Sequence, residues 1–354
     1  MEENPVEVIK SEVEAKAGSR DFGMLTLRTA NRTLMEAAMR PDPHDLYHEL
    51  WYECEVCCLF ADSNLGKSIY AVQMADEIAQ FQNVLYVDCE LSDKQFQLRY
   101  TDPETGNLYQ FPEALTRAEI NPERMNLKNF EEEIIRNIED AAMSTGSKVI
   151  IIDNLTYLCN NSEKGDVAGL FMISLMNLKK KYGWSLLIIA HTPKRSLTSP
   201  ITQNDLAGSK KLYNFFDSVF AIGKSARDER LRYVKQVKVR AGAYRYDSDN
   251  VILYEIVHDK ENVHFEFKGF ANEKEHLKEA DEKEKSSLEE NVLELIRQGK
   301  SYRDIAETMG ISKSLVGKIV KKSEVSTLST TSTGVDNVDT VDSGQKEVKD
   351  ETLF

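Results

Sequence analysis

Residues 61–68 read Ala61-Asp62-Ser63-Asn64-Leu65-Gly66-Lys67-Ser68, and the fold turns on this octapeptide. Its spacing is that of a phosphate-binding loop: backbone amides cradle the phosphates, the lysine reaches the outer ones, and the serine hydroxyl completes the coordination of a magnesium ion. Ala61 stands where the pattern often has its first glycine. Such a loop needs a strand before it and a helix after it. Upstream, Val56-Cys57-Cys58-Leu59-Phe60 is a short apolar run suited to a buried parallel strand. Downstream, Ala71, Val72, Met74, Ala75, Ile78 and Ala79 recur at helical spacing, so a helix opens directly after Ser68 and points its positive end at the phosphates. The pattern predicts a nucleoside triphosphate, ATP or GTP, bound by Ala61, Asp62, Ser63, Asn64, Leu65, Gly66, Lys67 and Ser68 with Mg2+ as cofactor.

Outward from the loop, short β-rich runs alternate with helical patterns. Strands are predicted at 56–60, 84–88, 149–153, 185–190 and 218–222, then at 234–239, 251–257 and 263–267. Early alternation predicts an α/β core with a central, mostly parallel sheet and helices on both faces, followed by antiparallel strands. Residues 100–120, with Asp102-Pro103 and Thr105-Gly106-Asn107, interrupt the alternation and are expected to form an inserted hairpin or loop. The expected organisation is an acidic leader at 1–50 with one helical stretch near 33–39, an ATPase domain at 51–270, a charged linker at 271–287, a small all-α unit at 288–323 and a disordered acidic tail at 324–354.

The chain has 354 residues and a net charge of −14, long enough for about two domains and too acidic to coat nucleic acid with its whole surface. No apolar run approaches the roughly 20 residues of a membrane span, and the acidic N-terminus carries no secretory pattern, so no membrane association and a cytoplasmic location are expected. Five cysteines do not make a disulfide framework. Cys54, Cys57 and Cys58 are expected as core residues beside the first strand, because no second Cys or His cluster supplies further zinc ligands.

Triphosphate hydrolysis needs a group that activates water, an acid at the metal, a sensor of the outer phosphate and positive charge for the transition state. The run Lys148-Val-Ile-Ile-Ile-Asp153 is a buried strand ending in an acid suited to hold magnesium through water, so Ser68 and Asp153 form the predicted metal site. Val84-Leu-Tyr-Val-Asp-Cys-Glu90 ends in Glu90, a candidate base for the attacking water, or else a surface acid at a strand end. Ser185-Leu-Leu-Ile-Ile-Ala-His191 places a polar ring just past another strand, as a sensor or a structural histidine. Lys238 and Arg240 share one face of a later strand, where they could project into a neighbouring subunit's site or simply be solvated. Lys67, Glu90, His191, Lys238 and Arg240 are therefore the candidate catalytic set.

Together these residues resemble the RecA-type branch of the P-loop ATPases, and within it the hexameric replicative helicases. Glu90-Leu-Ser-Asp-Lys-Gln95-Phe-Gln-Leu-Arg99 resembles the segment in which the catalytic glutamate is followed by Ser, Gln and Arg. Asp205-Leu-Ala-Gly208-Ser209-Lys-Lys-Leu212 and Asp217-Ser-Val219 resemble the segment after the sensor strand in DnaB-like and plasmid RepA-like helicases. Lys238-x-Arg240 matches their trans-acting cation pair, and His191 their histidine sensor. The resemblance spans roughly residues 53–268 and implies a homo-oligomer, a hexameric ring, with ATP between neighbours and DNA in a central channel. By position the channel loops would be 154–169 and 192–206, the second offering Lys194 and Arg195 to phosphates. The family's N-terminal, primase-recruiting helical domain has no counterpart expected in residues 1–50, which favours a RepA-like or accessory motor.

Residues 288–322 carry apolar positions of three helices: Val292, Leu293, Leu295 and Ile296; Ile305 and Ala306; Leu315, Val316, Ile319 and Val320. Ser301 and Ser312 are expected helix caps and Gly310 the turn glycine. The stretch resembles the helix-turn-helix of resolvases, which implies that Lys313, Ser314, Lys318 and Lys321 face DNA; a plain three-helix packing unit is the alternative. The last residues, Asp350-Glu-Thr-Leu353-Phe354, resemble tail peptides that dock replication proteins, or form a plain terminus. The function these observations imply is a DNA-directed ATPase acting on single- or double-stranded DNA, a ring helicase or accessory motor for replication or mobilisation of a mobile element. An ATP-switched DNA-binding regulator and a RecA-type recombination mediator are the alternatives.

Overall fold

The computed structural model describes residues 20–124, 130–155, 165–192, 196–206, 210–240, 242–279 and 282–330. Contacts divide the chain into two units, Met1–Lys278 and Glu279–Phe354.

The first unit is built on a nine-stranded sheet. Its strands are β5 (Val56–Ala61), β6 (Val84–Asp88), β7 (Leu115–Glu119), β8 (Val149–Asp153), β9 (Ser185–His191), β10 (Ser218–Lys224), β11 (Leu231–Val239), β12 (Val251–Asp259) and β13 (Asn262–Ala271), in the order β13-β12-β11-β10-β5-β9-β8-β6-β7. Two short antiparallel pairs precede it: β1 (Arg20–Phe22) with β2 (Leu25–Leu27), and β3 (Asp45–Tyr47) with β4 (Trp51–Tyr52). From β10 through β7 the sheet is parallel, and β10 to β13 pair antiparallel.

Every residue of β5, β6 and β8 is buried, as continuous Val/Ile/Leu runs covered on both faces require. After α1 (Ala30–Ala38), helix α2 (Lys67–Ile78) covers one face through Tyr70, Met74 and Ile78. Further along, α3 (Asp93–Arg99) is followed by α4 (Phe130–Thr145) and α5 (Gly165–Tyr182), which cover the other face through Ile134, Ile138, Phe171, Met172 and Leu175. The expected α/β core with a central mostly parallel sheet, helices on both faces and trailing antiparallel strands is what the chain forms. Cys57 and Cys58 are fully buried in β5, as expected, whereas Cys54 is exposed at its entry.

Three boundaries differ from expectation. The leader ends early: Leu46, Tyr47, Leu50 and Trp51 are buried in the α2-side core, with Tyr47 edge-on to Tyr70 at 5.6 Å. Their apolar side chains are too few and too close to Pro41 and Pro43 to show a period. Residues 115–119, expected within a hairpin or loop, form edge strand β7 parallel to β6. Finally, Glu273, expected in a solvated linker, is completely buried: it accepts from Lys235 Nζ (2.6 Å), Ile201 N (2.7 Å) and Ser248 Oγ (2.9 Å). A buried carboxylate is tolerable there because a cation and further donors saturate it.

The second unit has three helices after the four-residue α6 (Lys210–Tyr213) of the first: α7 (Glu282–Arg297), α8 (Tyr302–Met309) and α9 (Lys313–Thr330). Val292, Ile305, Val316 and Ile319 bury a small core of their own. Ser301 accepts from Asp304 N at 3.3 Å, Ser312 from Leu315 N at 3.1 Å, and Gly310 turns the chain at φ 65°. Helix α9 continues past the boundary expected at 323.

Candidate active site

The four parallel strands β5, β9, β8 and β6 are neighbours, and the chain leaves each at the same sheet edge. That edge is where open α/β sheets place their ligands. It collects the phosphate loop after β5, His191 at the end of β9, Asp153 at the end of β8 and Glu90 just past β6.

The loop runs from β5 directly into α2. Asn64 and Gly66 take positive φ, 63° and 90°, turning successive amides inward ahead of the helix. Lys67 is 8% exposed, and its Nζ donates to Ala61 O (2.9 Å) and Asp62 O (3.0 Å). Burial pulls this ammonium below its usual range, against the attraction of Asp153, Glu90 and Asp62. A buried cation beside inward-turned loop amides is suited to a polyanionic ligand, and the acids nearby to a metal ion that accompanies it.

Asp153 is 2% exposed and accepts from Tyr86 OH at 2.8 Å. Burial raises its carboxyl to about 6, opposed by hydrogen bonds from Ser68 and Tyr86. Ser68 and Asp153 therefore meet. Their donors are oxygens only, which suits a small hard cation such as magnesium. Among the described residues no group of three or more His, Cys, Asp or Glu could hold a metal, so a cation here would take its other ligands from water and phosphate.

Glu90 sits on a turn fixed from below. Asp88 Oδ1 accepts from Glu90 N (3.0 Å) and Leu91 N (2.9 Å). Arg117 on β7 donates to Asp88 Oδ2 (3.0 Å), Leu91 O (2.6 Å) and Asp93 Oδ1 (2.6 Å), and lies over the Phe96 ring. The Glu90 carboxyl is held below its usual range by His191 first, with Lys67 and Asn154 adding to the effect against burial. Asn154, a position the sequence reading passed over, donates from Nδ2 to Glu90 Oε1 and lies 3.0 Å from His191 Nε2. Glu90 and His191 are thus joined in one cluster with Asn154.

Lys238 and Arg240 lie elsewhere. In β11, Lys238 pairs with Val219 and Val239 with Ser218, at the start of β10 and opposite the start of β5. This is the sheet edge away from the phosphate loop, a strand length or about 20 Å off. Lys238 Nζ donates to Tyr213 O (3.0 Å) and rests 4.7 Å from the Tyr213 ring. Arg240 donates to Asp217 Oδ1 (2.7 Å) and Asn214 O (3.1 Å), and half of its side chain is exposed. Lys313, Ser314, Lys318 and Lys321 are exposed on α9 of the second unit. Lys194, Arg195, most of the loop at 154–169 and the Leu353-Phe354 tail lie outside the described residues.

With this geometry in place, comparison with known proteins adds the following. Residues 27–196 match the family model of an AAA domain. The matched stretch contains the phosphate loop, Glu90, Asp153 and His191, and stops before Lys238. The phosphate loop, the strand order and this match agree on an α/β core of the P-loop kind. No curated protein matches the chain. Among solved structures, it is similar to a KaiC-like protein from the hyperthermophilic archaeon Pyrococcus horikoshii OT3, with 12% identity over 62% of this chain and 94% of that one at a TM-score of 0.45. No described helix is long and apolar enough to cross a membrane.

Proposed function

We propose that this protein is a DNA-directed ATPase, a RepA- or DnaB-like ring helicase or accessory motor serving replication or mobilisation of a mobile element. The observation that carries the reading is the separation of its two cationic sets. Lys67 stands at one sheet edge with Ser68, Asp153, Glu90 and His191, while Lys238 and Arg240 stand at the other. A pair of cations this far from its own phosphate loop would serve a copy's nucleotide in a repeating head-to-tail assembly, which supports the reading. ATP would lie along the loop amides, Lys67 would bind its outer phosphates, and Glu90 would take the proton of the attacking water. A magnesium ion held by Ser68 and Asp153 would neutralise phosphate charge.

DNA enters the reading through the second unit. Its tight turn at Gly310 and the exposed Lys313, Ser314, Lys318 and Lys321 of α9 fit a helix-turn-helix that presents its last helix to a major groove. The same unit, with a core of its own, supports a second reading, a nucleotide-switched DNA-binding regulator. ATP turnover measured with and without single-stranded DNA, alongside strand separation and footprinting, decides the matter. Stimulation with unwinding is expected. Turnover indifferent to every polynucleotide, with a strong footprint, would transfer the case to the regulator.

A further inference from the structure

Glu90 has two carboxylate oxygens, and both contacts made by its neighbours fall on one of them. Asn154 Nδ2 donates to Oε1, and His191 Nε2 lies 3.4 Å from the same atom. Among the described residues nothing bonds Oε2. A carboxylate only accepts, so Asn154 must present its amino group, not its carbonyl, to Glu90. The same nitrogen lies 3.0 Å from His191 Nε2, so one amide group sits between the carboxylate and the imidazole.

Asn154 is held as firmly as a positioning group needs to be. It is 2% exposed, next to Asp153 at the end of β8, and Asp153 O accepts from Cys89 N at 2.7 Å, tying this strand end to the residue before Glu90. Asn154 begins the segment 154–169 and His191 immediately precedes the segment 192–206.

We propose that Asn154 is a positioning residue that pins Oε1 of Glu90 and ties it to His191, leaving Oε2 to face the attacking water. The inference rests on Glu90 being the base of an ATPase. Because Asn154 acts through Glu90, its loss lowers turnover and leaves nucleotide affinity alone.

The test is Asn154→Ala in the full chain, with ATP affinity and kcat measured separately. The kcat falls about 10- to 100-fold while Kd stays within about twofold. In a Glu90→Gln background, adding Asn154→Ala changes the residual turnover by less than about twofold, because the two residues act as a unit. If Asn154→Ala does not fold, Asn154→Ser, whose hydroxyl is too short to reach both Glu90 and His191, carries the same expectation. A variant with wild-type kcat, an equal loss in both backgrounds, or a tenfold loss of ATP affinity overturns the inference while the ATPase reading stands. A wild-type protein without any ATP turnover removes the reading itself, and the inference with it.

Discussion

Gly66 shows how closely a single residue is constrained at the site. Its φ of 90° is open to glycine at little cost, and a Cβ there would lie 2.7 Å from Ile256 Cδ1 and 2.9 Å from Phe265 Cε2 of the β12–β13 hairpin. Gly66→Ala therefore combines left-handed strain with a clash, and is expected to destabilise the fold by about 1–3 kcal/mol, read by denaturant unfolding. At the neighbouring position, Lys67→Ala removes the cation that meets the phosphates, and nucleotide binding or turnover is expected to be lost. Glu90→Gln keeps size and hydrogen-bonding capacity, so ATP binding survives in titration while turnover drops by about 10²–10⁴-fold. Loss of binding in Glu90→Gln would show that this side chain holds nucleotide rather than water. At this scale the sequence spoke through spacing and strand ends, which made Lys67, Ser68, Asp153, Glu90 and His191 legible. Asn154 and Arg117 were not, because an amide after a strand and a lone arginine in an apparent loop have no pattern until the fold brings one to Glu90 and the other to the Asp88 turn beneath it.

Elements were legible where periodicity ran long enough to speak. The four strands that enter the site were predicted with their starts in place, since an apolar run buried on both faces needs no partner to identify it. Strand β7 was hidden because Leu115-Thr-Arg-Ala-Glu119 is a half-covered edge strand with mixed side chains. The stretch from Glu273 was misjudged for the opposite reason: its charge looked solvated, yet Glu273 neutralises Lys235 from β11 in the interior. Lys235 also donates to Ile201 O (2.8 Å) while Glu273 accepts from Ile201 N, so the pair clamps the chain after the segment that follows His191. Glu273→Ala leaves a buried ammonium without its counter-charge and is expected to cost about 3–5 kcal/mol in denaturant unfolding. Lys235→Met added to it should recover part of that loss, because an apolar chain of similar length carries no charge to bury. A double variant no better than the single would assign the loss to the Ile201 and Ser248 contacts instead.

For the molecule as a whole, a sheet with Lys67 at one edge and Arg240 at the other makes the proposed ring testable, because on that reading a complete site would need two copies. Arg240 meets Asp217, which also accepts from Lys179 Nζ (2.7 Å) and Val56 N (3.0 Å), so Asp217 would keep partners without the arginine. Half-exposed and bound to an acid that does not depend on it, Arg240 can be removed with little effect on folding. Arg240→Ala should lower turnover by about 10³–10⁵-fold if it stabilises transferring phosphate in trans. Lys67→Ala should be inactive by itself for the separate reason given above. Mixed in equal amounts and allowed to reassemble with ATP, the two inactive proteins regain activity, because an intact loop from the Arg240→Ala copy meets an intact arginine from the Lys67→Ala copy. With random head-to-tail assembly about a quarter of the interfaces are complete, so turnover near a quarter of wild type is expected. Activity that stays at the level of the separate variants at every mixing ratio would confine each nucleotide to a single chain, and Arg240 would then be a structural partner of Asp217 alone.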